Sequence, residues 1–66
     1  MPAVSSSAMT YVEYRDHSEE LDIVFTSGRL YTYYGVPRDV YEGLLRSSSK
    51  GQFYNEHIRD IFTDQP

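Results

Sequence analysis

The feature that most constrains the fold is an alternation of apolar and polar residues on both sides of a glycine turn. Apolar side chains at every second position of residues 21–25 predict a strand with one buried face. Gly28 follows and supplies the positive φ of a tight hairpin. Residues 29–34 resume the strand pattern, and the β-forming residues of 9–14 predict an earlier strand. The three strands therefore form an antiparallel meander.

Two short helices are predicted after the sheet. The first covers residues 37–46, with Pro37 in its first turn, where the missing N–H costs nothing. The second runs from about Lys50 to about Asp60, with Ser49 and Gln52 as a capping box. Helices of this length are not stable alone, so we expect both to pack on the apolar sheet face. The predicted fold is α+β, in the order βββαα.

The size of the chain allows one domain with one core. It has 66 residues and no cysteine, which excludes a disulfide scaffold and a thiolate metal site. We expect a disordered N-terminus at 1–7, a domain at 8–62 and a loose C-terminus at 63–66. No signal-peptide pattern is visible, and no apolar run approaches the roughly 18 residues of a membrane span. We expect a cytoplasmic protein without membrane association.

Two motifs in the second half of the chain are similar to those of a known family. Residues 30–37 read LYTYYGVP and resemble a Y-x-Y-x-x-V-P centre, while residues 49–59 read SKGQFYNEHIR and resemble S-K-G-x-F-[FY]-N-x-x-I-R. Over about Ser7 to Arg59 the chain resembles the KTSC domain, which is named for the C-terminal region of some lysyl-tRNA synthetases. The resemblance implies a free-standing bacterial member of a family without an established function, for which the synthetase association suggests RNA binding.

Polar and aromatic positions of these motifs form the candidate binding surface. The tyrosines are either a platform for stacking bases or the aromatic core of a small sheet. Asn55 and Arg59 are spaced to share one helical face, as ligand contacts or as a structural clamp. Residues 47–51 suit either anion binding at a helix start or a tight turn between helices. The candidate residues are Tyr31, Tyr33, Lys50, Asn55 and Arg59.

The charge of the chain favours a protein partner over RNA. Residues 29–59 carry five basic and three acidic residues, which gives this segment a net charge of +2. The whole chain has a net charge of −4 and a pI near 4.9. Nucleic-acid domains usually have a pI above about 9. A protein partner, or a second copy in a homodimer, would use Ile61, Phe62 and the free sheet edge. RNA binding stays open only if the basic side chains converge on one face.

No reaction is predicted for this chain. It contains no G-x-S-x-G, no H-E-x-x-H and no glycine-rich cofactor loop. His17 lies in a polar turn, and His57 is expected to be partly buried near the apolar side of the second helix. We therefore predict a non-catalytic binding module with no cofactor and no metal.

Overall fold

Three strands and two helices follow one another in the predicted order, so the α+β prediction of order βββαα is confirmed. The computed structural model describes residues 6–62, and the expectations for 1–5 and 63–66 lie outside the described residues. No helix in the described range is long and apolar enough to cross a membrane. The elements are β1 (Met9–Arg15), β2 (Glu20–Phe25), β3 (Leu30–Tyr33), α1 (Arg38–Arg46) and α2 (Lys50–His57).

The sheet is an antiparallel meander with β2 in the centre and β1 and β3 at its edges. Ile23 lies between Val12 on β1 and Tyr31 on β3. Because side chains of opposite partners project from the same face, this register puts the apolar residues of all three strands together. Gly28 has φ +92° in the β2–β3 turn, as its predicted role requires.

The helices cover the apolar face of the sheet and complete the core. Within that core α1 approaches α2 closely at Gly43, where a β-carbon would lie 2.8 Å from Cζ of Phe53. A larger residue at this position would push the two helices or the ring apart. The buried side chains are Met9, Val12, Leu21, Ile23, Val36, Leu44 and Ile58 at 0% exposure, with Tyr33 at 3%.

Both helices differ in detail from the sequence prediction. Pro37 precedes α1 in an extended conformation, and its carbonyl accepts the first hydrogen bonds of the helix. The predicted capping box is wrong, because the Ser49 side chain makes no capping bond and Gln52 donates to Glu56 instead. α2 ends at His57 and not near Asp60.

Ile58 is the reason for the early end of α2. Its φ of −126° leaves the helical region, and its side chain is fully buried. Turns continue the chain to Phe62, whose N–H donates to the carbonyl of Ile58 at 3.1 Å. Ile58 and Phe62 therefore anchor the end of the helix in the core without extending it, whereas Ile61 is exposed.

Candidate functional site

An open groove of about 600 Å³ lies between the β2–β3 hairpin and the end of α2. β2 and β3 contribute rings from the core face of the sheet, and α2 contributes a ring from above. Ala8, Thr26, Ser27 and Asp60 complete the rim. We call this site the aromatic groove, and its principal lining residues are Phe25, Tyr31, Tyr33, Tyr54, Arg29 and Arg59.

The rings of the groove pack edge to face in three pairs, while Tyr31 and Tyr33 lie nearly parallel, with centroids 6.5 Å apart and planes at 17°. The centroid of the Phe25 ring lies 5.6 Å from that of Tyr31 and 5.1 Å from that of Tyr54. The corresponding ring planes meet at 84° and 68°. Tyr33 meets Tyr54 at 5.8 Å and 69°, and their hydroxyl groups are hydrogen bonded. Such pairs contribute about 0.5–1.5 kcal/mol each beyond the area they bury. The floor of the groove is therefore a fixed aromatic cluster.

Two exposed arginines flank this cluster. Arg29 immediately precedes β3, and Arg59 follows the end of α2. Within residues 6–62 neither guanidinium forms an ion pair, whereas Arg15 and Arg38 each bind two carboxylates. The rim residue Asp60 offsets one of the two charges. The groove thus offers positive charge beside apolar rings.

The structure brings together only part of the predicted binding surface. Tyr31, Tyr33 and Arg59 line the aromatic groove, although Tyr33 is 3% exposed and presents little of its ring. Lys50 lies in a separate polar depression lined by serines, and its Nζ donates to a backbone carbonyl at 3.0 Å. Asn55 is exposed and lines neither. The binding role of all five residues stays a prediction.

The predicted sharing of one helical face by Asn55 and Arg59 is wrong. Arg59 lies beyond the end of α2, and its N–H donates to the carbonyl of Tyr54 at 2.9 Å. This bond spans five residues, so it turns the chain out of the helical path. The side chain of Arg59 consequently reaches the aromatic groove.

Sequence reasoning gave Phe25 and Tyr54 no binding role, and it counted Arg29 only among the five bases of residues 29–59. Phe25 and Arg29 face each other across the hairpin turn, where the Phe25 N–H donates to the Arg29 carbonyl at 2.9 Å. A strict reading of the hairpin register could have found that pair. Tyr54 stands within the second motif, but only the packing of α2 on the sheet brings it to Phe25.

The two histidines lie outside the aromatic groove. His57 is exposed and not partly buried as expected, with its ring 4.5 Å from that of Phe53. Its Nε2 is 3.8 Å from Oε1 of Glu56. Among the described residues no three histidine or acidic side chains come together as a metal site would require. His17 is exposed in the β1–β2 turn.

The outer face of the sheet carries a polar network instead of a groove. Asp22 accepts hydrogen bonds from both terminal guanidinium nitrogens of Arg15, each at 2.9 Å, and from Oγ1 of Thr32 at 2.6 Å. Hydrogen bonding to Arg15 lowers the pKa of Asp22, although burial opposes the shift. Glu20 accepts a further bond from Nε of Arg15 at 2.9 Å. The network ties the three strands together.

Comparison with known proteins gives the family. The model of the KTSC domain matches residues 5–62, so the chain belongs to the KTSC family. A KTSC domain protein from Yersinia pestis has the same fold, with a TM-score of 0.91 and 31% identity, covering 94% of this chain and 87% of that one.

Relatives by sequence are also bacterial. A protein of Tsukamurella paurometabola is 37% identical over 62 residues, covering 94% of this chain and 92% of the relative. An uncharacterized protein of Stutzerimonas stutzeri is 35% identical over 54 residues, covering 82% of this chain and 76% of the relative. A lysine–tRNA ligase of Nostoc punctiforme is 38% identical over 56 residues, which are 85% of this chain but 10% of the ligase. None of these names assigns a reaction or a ligand to the KTSC domain itself.

Proposed function

We propose that the protein is a small non-catalytic binding module that holds a protein partner in the aromatic groove. The observation that carries this proposal is the combination of an open aromatic floor with Arg29 and Arg59, which form no ion pair within residues 6–62. Tyrosine, phenylalanine and arginine are enriched in protein interfaces and supply much of their binding energy. A rigid floor also loses little entropy when a partner binds.

The lining of the groove supports binding more than catalysis. The described lining includes no histidine, and Asp60 is its one carboxylate. A nucleophile would need a base within hydrogen-bond reach, and general acid–base catalysis would need a group that titrates near neutral pH. Tyr33 and Tyr54 bond to each other. The groove therefore provides shape and charge and no evident acid–base pair.

RNA is the second candidate, because tyrosines and arginines together are typical of single-strand binding. The geometry of the rings supports it less well. Base stacking needs open ring faces, whereas Phe25 meets both Tyr31 and Tyr54 edge to face. Tyr33 has little exposed area. The net charge of −4 also opposes a polyanion.

Photo-crosslinking in cells that encode the protein tests the proposal. A photoreactive phenylalanine analogue at Tyr31 samples the groove, and the same analogue at Tyr11 samples the outer sheet face as a control. We expect a discrete adduct from position 31 that is degraded by protease and resists ribonuclease. An adduct sensitive to ribonuclease would support RNA, and an adduct of two copies of this chain would identify a homodimer. Equal adducts from both positions, or none from position 31, would refute the groove as the binding site.

A pair of charge variants sharpens the same experiment. Arg59→Gln removes a charge at the groove, while Arg46→Gln removes an exposed charge from the last turn of α1. We expect the first variant to reduce the yield of the Tyr31 adduct and the second to leave it unchanged. An equal effect of both would mean that the charge of the whole chain, and not the groove, controls binding.

A further inference from the structure

β3 is an edge strand whose outward backbone groups can be assigned from the hairpin. At the turn the Phe25 N–H donates to the Arg29 carbonyl, while the Phe25 carbonyl accepts from the Gly28 N–H. Phe25 and Arg29 thus occupy a bonded position of the antiparallel ladder, in which bonded and non-bonded pairs of opposite residues alternate. Tyr31 is therefore bonded to β2, while the N–H and C=O groups of Leu30 and Thr32 point away from it. Within residues 6–62 no backbone hydrogen bond from another element reaches these two residues.

The side chains of β3 leave this edge accessible. Leu30 is 61% exposed, and its side chain lies on the outer face, away from the groove. Thr32 is on the same face, where it donates to Asp22. A strand that paired with β3 would lie about 4.8 Å away. β3 itself contains no proline that would block pairing at this edge.

The aromatic groove borders the same strand. Tyr31 and Tyr33 project from β3 on the core face and form part of the groove floor. Every second side chain of an added strand would project on that face too, because successive residues alternate. Those side chains would stand beside the tyrosines, in the groove that Arg29 and Arg59 also line. Backbone pairing and groove binding thus belong to one ligand.

We infer that the partner contributes an extended acidic segment that adds to β3 as a fourth strand and directs its carboxylates to Arg29 and Arg59. This inference rests on the proposed function and specifies its partner. Charge complementarity selects the acidic segment, since both guanidinium groups lack an ion pair within the described chain. Backbone bonds supply affinity in strand addition, and alternate side chains supply specificity.

A second copy of this chain fits the edge less well. Antiparallel pairings of two β3 strands through their outward groups place Arg29 opposite Tyr31, Tyr33 or Gly35 of the other copy. None of these residues carries a negative charge. Arg29 would therefore have no acidic residue opposite it in such a dimer, and two chains that each carry a net charge of −4 repel each other. The acidic segment therefore belongs to a different protein.

A short synthetic peptide tests the inference by nuclear magnetic resonance. The probe is acetyl-Thr-Glu-Thr-Val-Thr-Glu-Thr-amide, whose Glu and Val side chains share one strand face. Its two controls replace Glu by Lys, or methylate the nitrogens that would bond to β3. We expect saturable shifts of the Leu30 and Thr32 amide signals with a Kd of about 1 mM or below. Each control should weaken binding at least about tenfold, as expected when several pairings are lost.

Variants of the edge separate strand addition from simple groove binding. Leu30→Pro removes an outward N–H without touching the β2–β3 ladder, and proline is accepted at such edge positions. We expect it to abolish peptide binding, while Leu30→Thr, the matched control, should retain it. Arg29→Gln and Arg59→Gln should each weaken binding by about two- to fivefold. Urea unfolding of each variant checks that the fold persists.

The outcomes distinguish this inference from the proposed function. Equal binding of the methylated peptide, or retention of binding by Leu30→Pro, would overturn strand addition and leave a groove binder. Equal binding of the lysine peptide would overturn the acidic partner. The absence of any shift at about 5 mM peptide would overturn the inference as a whole. The absence of a crosslinked adduct at position 31 in cells is a separate result, and it would refute the proposed function whether or not the peptide binds.

Discussion

Replacing Asp22 by asparagine tests whether the polar network on the outer sheet face stabilises the fold. The Asp22 side chain is 15% exposed, and that of Arg15 is 32% exposed. Asp22→Asn keeps the shape of the side chain but removes its negative charge. In the parent protein the carboxylate accepts hydrogen bonds from both terminal guanidinium nitrogens of Arg15 and from Thr32. Hydrogen bonds to charged groups contribute about 1.5–3 kcal/mol to stability, and exposed ion pairs contribute about 0–1 kcal/mol. For this partly screened site we expect a loss of about 1–2 kcal/mol at pH 7.

The pH dependence of that loss follows from the pKa of Asp22. Hydrogen bonds from Arg15 hold the pKa of Asp22 below its ordinary value of 3.8. A group whose pKa is lower in the folded state binds fewer protons there than in the unfolded state near this pH. Its stabilisation is therefore complete above about pH 4 and is lost as the pH falls through the folded pKa. The difference between Asp22→Asn and the parent should shrink below about pH 4.

Urea unfolding followed by circular dichroism between pH 2 and 7 measures both effects. Glu20→Gln is the matched control, because Glu20 accepts one bond from the same arginine and its side chain is 30% exposed. We expect it to lower the free energy of unfolding by only about 0.5 kcal/mol. An equal loss in the two variants, or a loss at Asp22 that persists unchanged at pH 2, would refute the reasoning.

Three further substitutions, one of them also made together with Phe53→Leu, probe the packing and hydrogen bonding of the core. Gly43→Ala should lower the free energy of unfolding by about 1 kcal/mol, because the added carbon meets the Phe53 ring. In a protein that also carries Phe53→Leu, the same change should be neutral or stabilising. A double-mutant cycle of urea unfolding measures the difference. Leu44→Ala should cost about 2–5 kcal/mol and leave little folded protein by circular dichroism. Tyr14→Phe should cost about 1 kcal/mol in urea unfolding, because it leaves the Val36 carbonyl without its 2.6 Å bond.

The sheet could be predicted from the sequence because its information is local. The alternation of apolar and polar residues in 21–25 predicts which face of β2 is buried, and Gly28 allows the turn that aligns β3 with β2. The end of α2 could not be predicted in the same way. Ile58 continues the helical spacing of apolar residues, yet it is fully buried with a φ of −126°, outside the helical region.

The candidate site was only partly predictable because it joins three separate elements. Tyr31 was identified from its motif, but its neighbour Phe25 lies on β2 and Tyr54 on α2. Lys50 belongs to the same motif as Tyr54 and lies in a different depression. Nearness in sequence does not decide which side chains face one groove, since that depends on how α2 packs across the hairpin.

The position of the charges constrains the partner more than their sum does. Arg15 and Arg38 are neutralised by carboxylates of the same chain, whereas Arg29 and Arg59 are not within the described residues. Surface charges act over a Debye length of about 8 Å at physiological salt, and the molecule extends over 27 × 23 × 22 Å. A long polyanion would reach past the groove and meet the excess of acidic residues elsewhere. A short acidic strand would meet Arg29 and Arg59 and, among the described lining residues of the groove, one carboxylate, Asp60. The acidic chain and its groove therefore select for the length of the ligand as well as for its charge.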